Sequence, residues 1–181
     1  MMWVFGYGSL IFNPGFEYHE RVTATLEDFH RSFCIRSIHA RGTSETPGLG
    51  LALTASSGRF CTGVAFSVAP QNTESVLDYL RAREMVNDVY VETRLEITLA
   101  DNRRVRALTY VANTEHAQFV TGLSLEEQAR LIARAAGDRG PNCEYLYNAV
   151  EHLEALGVHD PQLTELVQRV HSLEKSAPLE G

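Results

Sequence analysis

The first apolar run of the chain, Trp3, Val4 and Phe5, consists of strand-forming residue types and stops at Gly6-Tyr7-Gly8. This is the pattern of a buried strand that ends in a loop. Glycines at 6 and 8 leave the backbone free to take positive φ and let another group approach closely. The amides near Tyr7, Gly8 and Ser9 can then point outward together as a cradle for an anion. A strand followed by an ordinary tight turn accounts for the same residues. Asn13-Pro14-Gly15 is a turn signal that separates this strand from the next segment of the chain. Between Thr25 and Ile38, Phe29, Phe33 and Ile35 among polar residues predict a strand whose register the pattern leaves open. Arg41 to Gly48 reads as a loop, and Leu49 to Thr54 and Arg59 to Val68 read as two strands joined in a hairpin around Ser56-Ser57-Gly58.

Pro70 and Asn72 or Thr73 start a helix with Val76, Leu77 and Leu80 as its apolar stripe, ending near Arg83. Glu84 then sits at the C-terminal end, where the helix macrodipole disfavours a carboxylate. Val89 to Leu99 and Arg104 to Val111 form a second hairpin through Ala100-Asp101-Asn102-Arg103. Ser124-Leu125-Glu126-Glu127 is a capping-box pattern opening a helix with Gly137 as its C-cap. A helix from about Cys143 to Leu156 ends at Gly157, and another runs from Pro161 to Leu173 with Asp160 as cap. The expected fold class is α+β: a mixed β-barrel or strongly curved sheet from the first two thirds, covered by helices, with a helical C-terminal third. One domain is expected over residues 1–174, with residues 175–181 as a disordered tail.

Composition narrows the class without changing this outline. At 181 residues, 44% hydrophobic and 22% charged, the chain matches one soluble globular domain, and no apolar run approaches a membrane span. No basic region precedes the first apolar run, and Gly6 breaks it, so a secretory signal is not expected. Three cysteines at wide spacing, Cys34, Cys61 and Cys143, fit free thiols in a reducing compartment, and a cytoplasmic location is expected. A net charge of −7, with basic clusters no larger than pairs such as Arg103-Arg104, argues against nucleic acid and for a small molecule or protein partner.

Several familiar chemistries fail on spacing. A dinucleotide fingerprint needs a glycine where Ile11 stands. The histidines 19, 30, 39, 116, 152, 159 and 171 are scattered, with no pair at ligand spacing beside a glutamate, so no metal site is expected. Gly42-Thr43-Ser44-Glu45-Thr46 lacks the second glycine of a serine-hydrolase elbow. Cys34 near His30 or His39 reads first as a small buried hydrophobe rather than a nucleophile.

Residues 3–10 and Asn13-Pro14-Gly15-Phe16, followed by Arg41-Gly42-Thr43, Pro47-Gly48 and Tyr79-Leu80-Arg81-Ala82-Arg83-Glu84-Met85 with Tyr90, resemble the ChaC-type γ-glutamylcyclotransferases. The resemblance continues through residues 123–129, Gly140-Pro141-Asn142, Tyr145-Leu146, His152-Leu153 and Leu156-Gly157, and so spans nearly the whole chain. Phe12 departs from a usual tryptophan of that family, Ala40 from a histidine and Ser44 from a proline. The resemblance implies a cyclotransferase-type barrel with flanking helices. It implies a lyase that cleaves glutathione to 5-oxoproline and cysteinylglycine without a cofactor. It also implies Tyr7, Gly8, Ser9 and Leu10 as the substrate-holding loop and Glu84 as the acid/base.

The residue types suit that chemistry. The α-amine of a γ-glutamyl compound closes a five-membered ring on its own γ-carbonyl, and a well-oriented intramolecular step gains an effective molarity of about 10⁵–10⁸ M. One carboxyl can take the ammonium proton and return it to the leaving amine, and Glu84 at a helix end beside Met85 and Val86 is expected to have a raised pKa. The loop amides would hold the substrate carboxylate or the developing oxyanion. Each assignment has a rival. Without the resemblance, Glu84 reads as an ion partner of Arg81 or Arg83; Arg36 is either a ligand for a substrate carboxylate or a surface pair. Tyr145 shares a stripe with Ala149, Leu153 and Leu156, as a core ring or a substrate contact, and Ser9 either meets the ligand or fixes the loop. Two other functions stand beside the glutathione reading: action on other γ-glutamyl amines or amino acids, and a non-catalytic binding regulator on the same barrel.

Overall fold

A computed structural model describes residues 1–176. The chain divides into two compact units, Met1–Ser32 with Leu51–Phe119, and Phe33–Gly50 with the chain from Val120 on. Five strands, β1 (Met2–Gly6), β2 (Glu20–Ser37), β3 (Gly48–Val68), β4 (Tyr90–Leu99) and β5 (Arg104–Ala112), close into a barrel in the order β1-β3-β2-β4-β5. The chain passes from one unit to the other within β2 and within β3.

In the first unit, β1 is antiparallel to β3 from Met2↔Val68 to Gly6↔Val64 and parallel to β5 at Trp3↔Ala107 and Val4↔Leu108. With a partner on each edge and Val4 and Phe5 fully buried, β1 reads as an apolar run rather than an alternation. β4 and β5 form the expected hairpin, from Tyr90↔Ala112 to Thr98↔Arg104, with Asn102 at φ +68° in its turn. α1 (Thr73–Glu84) presents Val76 and Leu80 to a cluster formed by Met2, Val4, Val68, Leu108 and Tyr110. The i, i+4 spacing of the helix pair meets the i, i+2 spacing of the strand residues, so α1 lies along one face of these strands.

The hairpin expected around Ser56-Ser57-Gly58 does not form: β3 runs through these residues as one strand. Gly58 sits at φ +75°, its N–H bonded to Asp28 Oδ1 at 2.8 Å, and Asp28 itself has φ +59°. The turn-forming residues thus bend a continuous strand, which lets β3 pair with β5 at Leu53↔Val111 before the bend and with β1 after it.

The second unit contains α2 (Leu125–Arg134), the short strands β6 (Ala136–Gly137) and β7 (Gly140–Pro141), α3 (Asn142–Ala155) and α4 (Pro161–Ser176). α2 packs against α4, and α3 against both. The capping box of Ser124 with Glu127 is formed, and Asp160 Oδ1 accepts the Leu163 N–H at 3.2 Å. Gly157 ends α3 at φ +74°, with bonds from Gly157 N to Glu154 O and from Val158 N to Leu153 O, a Schellman motif. Gly137 is not the C-cap of α2, which ends at Ala135; it pairs with Gly140, and a Cβ there would come within 2.6 Å of the Gly42 nitrogen. α4 continues through Lys175 and Ser176, and the rest of the expected tail, residues 177–181, lies outside the described residues. No helix among the described residues is long and apolar enough to cross a membrane.

Asn142, fully buried, joins the start of α3 to the start of β3: its Oδ1 accepts the Leu49 N–H at 2.7 Å and its Nδ2 donates to the Leu49 carbonyl at 2.9 Å. Removing this amide strands a buried donor and a buried acceptor, each at roughly 1–3 kcal/mol. Asn142→Ala is therefore expected to lower stability by about 2–4 kcal/mol in urea unfolding, with cooperativity retained.

Candidate active site

Where β1 stops, the chain folds back on itself. Gly6 is needed for this reversal because a Cβ there would lie 2.9 Å from the Leu10 Cβ. Neither Gly6 nor Gly8 takes the positive φ expected of it: Gly8 has φ −136° and ψ −125°, and close approach is what Gly6 supplies. A single 3-10 turn over Ser9–Ile11 follows, closed by Ile11 N to Gly8 O and by Asn13 N to Ser9 O, both 2.9 Å. The amides of Gly8, Ser9 and Leu10 lie at the start of this turn, the end at which backbone N–H groups lack intrahelical acceptors and can donate to an anion.

Tyr7 is buried, and its hydroxyl donates to the Tyr110 carbonyl on β5 at 2.8 Å. Its own carbonyl accepts from Arg31 Nη1 at 2.8 Å, and the same nitrogen donates to Thr62 O at 3.1 Å. Arg31 is only 4% exposed, a buried charge whose hydrogen bonds go to the backbone of β3 and the loop. Leu10 is buried in the cluster that α1 covers. The bends on either side of the loop are thereby anchored in the barrel wall.

Glu84 is the last residue of α1, as the pattern predicts, with the Met85 N–H closing the helix on Arg81 O. Val76, Leu80 and Glu84 follow at steps of four, so the carboxylate ends the stripe that faces the barrel. Arg83 then ties Glu84 to the loop. Its Nε lies 3.2 Å from Glu84 Oε1, its Nη2 donates to Ser9 Oγ at 2.9 Å, and its Nη1 reaches Asn13 O at 2.7 Å and Tyr79 Oη at 3.0 Å. Gly15, at φ +74°, accommodates the Tyr79 ring, which any Cβ there would strike. The helix end acts against a charged Glu84, whereas the Arg83 guanidinium favours one, a partner that the helix-end argument from sequence leaves out. Because Ser9 accepts from Arg83, its hydroxyl proton is available to a ligand oxygen.

Arg36 and Tyr145 belong to the second unit. Arg36 is exposed on β2. Tyr145 is half-buried on α3, edge-on to Phe33 at 5.9 Å between ring centroids, with the Arg41 guanidinium 5.4 Å over its ring. Burial lowers the Arg41 pKa, with opposing contributions from Tyr145 and Glu144. Tyr7, Gly8, Ser9, Leu10 and Glu84 thus share the first unit, and Arg36 and Tyr145 the second. Arg31, Tyr110 and the hub role of Arg83 escape the sequence reading. For Arg31 the available signal is an arginine in the same strand as Phe29 and Phe33. Among the described residues no group of three or more His, Cys, Asp or Glu is placed to hold a metal.

Comparison with known proteins places the chain among relatives. Residues 2–173 match the model of the ChaC-like protein family. The glutathione-specific gamma-glutamylcyclotransferase of Escherichia coli K12 is 37% identical over 95% of this chain and 74% of its own length. Gamma-glutamylcyclotransferase 2-3 of Arabidopsis thaliana is 32% identical over 99% of this chain and 94% of its own length. The crystal structure of a selenomethionine-labelled gamma-glutamyl cyclotransferase specific to glutathione from yeast superposes with a TM-score of 0.88, at 24% identity, over 98% of each chain, and so shares the fold.

The hub makes a structural prediction of its own. Arg83→Met removes the bonds to Ser9 and Asn13 but keeps the aliphatic stem. Faster amide exchange of residues 9–14, with α1 still protected, is expected by hydrogen-exchange mass spectrometry.

Proposed function

The chain belongs to the ChaC-like family, and on that premise we propose that it is a γ-glutamylcyclotransferase that cleaves glutathione to 5-oxoproline and cysteinylglycine. The family match covers residues of both units, and the whole of 1–174 is taken as one functional domain. The supporting observation is the Arg83 guanidinium, which contacts the Glu84 carboxylate and the Ser9 hydroxyl at once. In a γ-glutamyl substrate the α-amine and the α-carboxylate share one carbon. A base and an anion cradle for them must lie close together, and Arg83 joins Glu84 to the loop.

The reaction follows from these groups. The loop amides of Gly8, Ser9 and Leu10 hold an anionic oxygen of the substrate, and the backbone around Tyr7 sets their direction. Glu84 takes a proton from the α-ammonium, and the freed amine attacks the γ-carbonyl, forming the ring C–N bond. As the tetrahedral centre collapses, the C–N bond to cysteine breaks, Glu84 returns its proton to the departing amine, and the second proton of the ring nitrogen passes to the same amine, which leaves as an ammonium. No water is consumed, and the carboxylate ends as it began. Arg36 is assigned a substrate carboxylate and Tyr145 a contact with the substrate body. An odd number of widely spaced cysteines fits a reducing compartment, and the enzyme is assigned to the cytoplasm.

Incubation of the purified protein with reduced glutathione is expected to yield 5-oxoproline and cysteinylglycine in equal amounts by mass spectrometry. Glu84→Gln, folded as judged by circular dichroism, is expected to lose at least about 100-fold in kcat, the lower range of a lost acid/base. No product from wild type with glutathione, but product from another γ-glutamyl amine, would move the substrate assignment. Full activity in Glu84→Gln would remove Glu84 as the base.

A further inference from the structure

A second line of polar side chains runs from β5 across β4 to the end of α1, and the reaction steps above do not use it. Arg81 grips the Glu92 carboxylate with both prongs, Nε to Oε2 and Nη2 to Oε1, each at 2.8 Å. Oε2 of that carboxylate also accepts the Tyr110 hydroxyl at 3.3 Å, and Glu92 and Tyr110 are direct cross-strand partners. Tyr110 is 2% exposed, and its ring shares a cluster with Leu10 of the loop, with Leu80 of α1 and with Met85 beside Glu84. Its carbonyl receives the Tyr7 hydroxyl. Tyr110 is thus bonded at one end to the substrate-holding loop and at the other, through Glu92 and Arg81, to the last turn of α1.

We infer that the Arg81–Glu92–Tyr110 chain is a positioning device that sets the end of α1, and with it Glu84, against the loop. This rests on Glu84 as the acid/base. Arg81 stands one residue triplet before Glu84, so a two-pronged bond at Arg81 restrains the rotation of the turn that carries the carboxylate. Half of the Arg81 side chain is exposed, so the pair contributes little to stability, and its worth lies in direction. The donor and acceptor roles are constant. The hydrogen bonds from Arg81 hold the Glu92 carboxyl below its ordinary range. Burial, followed by the Glu92 charge, pushes the Tyr110 phenol above its own. Glu92 therefore accepts and Tyr110 donates throughout the neutral range.

The test is steady-state release of 5-oxoproline from reduced glutathione by Tyr110→Phe, Glu92→Gln and the double variant, each with a melting temperature near wild type. Tyr110→Phe keeps the ring and loses only the hydroxyl, so the cluster around Leu10 and Leu80 is undisturbed. The expected result is a fall in kcat of about tenfold in each single variant, with KM within about twofold. The double variant is expected to be no worse than either single, because all three interrupt one chain. Wild-type kcat in both singles, a rise in KM with kcat intact, or losses that multiply in the double would overturn the inference. Glu84→Gln run alongside separates the two readings. Wild-type turnover in Glu84→Gln overturns the base assignment, whereas an inactive Glu84→Gln beside unchanged Tyr110→Phe and Glu92→Gln overturns the positioning chain alone.

Discussion

β1 is hydrogen-bonded along both edges, antiparallel to β3 and parallel to β5, and this double pairing determines where the loop after Gly6 leaves the barrel. A strand held on both sides cannot slip, since a shift of one residue would turn Val4 and Phe5 to the wrong faces. The same pairing brings the Tyr110 carbonyl, 103 residues away in sequence, to the Tyr7 hydroxyl and the Phe5 carbonyl to the Thr109 hydroxyl. The short glycine loop therefore inherits the rigidity of the barrel rather than supplying its own, which is what a preorganised anion cradle requires.

α1 uses that frame in a second way. Its stripe of Val76 and Leu80 is buried against residues of β1, β3 and β5, and the next residue on the stripe is Glu84. The hydrophobic contacts carry the carboxylate to the end of the loop, and Arg83 fastens the junction. The arrangement puts an acid at the unfavourable end of a helix dipole and offsets this with a guanidinium that also organises the loop. One cation therefore contacts both the Glu84 carboxylate and the loop after Gly6, so changes at Arg83 reach both.

Elements defined by local pattern are legible in the sequence: β1, the β4–β5 hairpin, α1 ending at Glu84, the Ser124 capping box and the Gly157 stop all depend on residues within one or two turns of each other. The misreadings share a physical cause. Ser56-Ser57-Gly58 has the composition of a turn, and whether such residues reverse a strand or bend it depends on partners far away, here Asp28 opposite Gly58. Gly137 reads as a helix stop, yet its small size is used to let the backbone of Gly42 come close. The loop glycines point to a site by their spacing alone, but the form of that site, close packing at Gly6 rather than positive φ, depends on Leu10. Arg31, Glu92 and Tyr110 carry no local signature because each gains its meaning from a strand pairing.

The distribution of charge follows from the same frame. Arg31 is buried, and its bonds to the carbonyls of Tyr7 and Thr62 compensate part of the cost of removing a guanidinium from water. Arg81 lies nearer the surface, where an ion pair adds little stability but a two-pronged contact still has direction, whereas Arg83 and Glu84 meet with both side chains mostly buried. Three arginines thus hold the loop from beneath, its junction with α1, and the last turn of that helix. The barrel provides the stability, and the guanidinium groups provide the angles. An intramolecular cyclisation needs that division, because its rate depends on orientation more than on any strongly bound group.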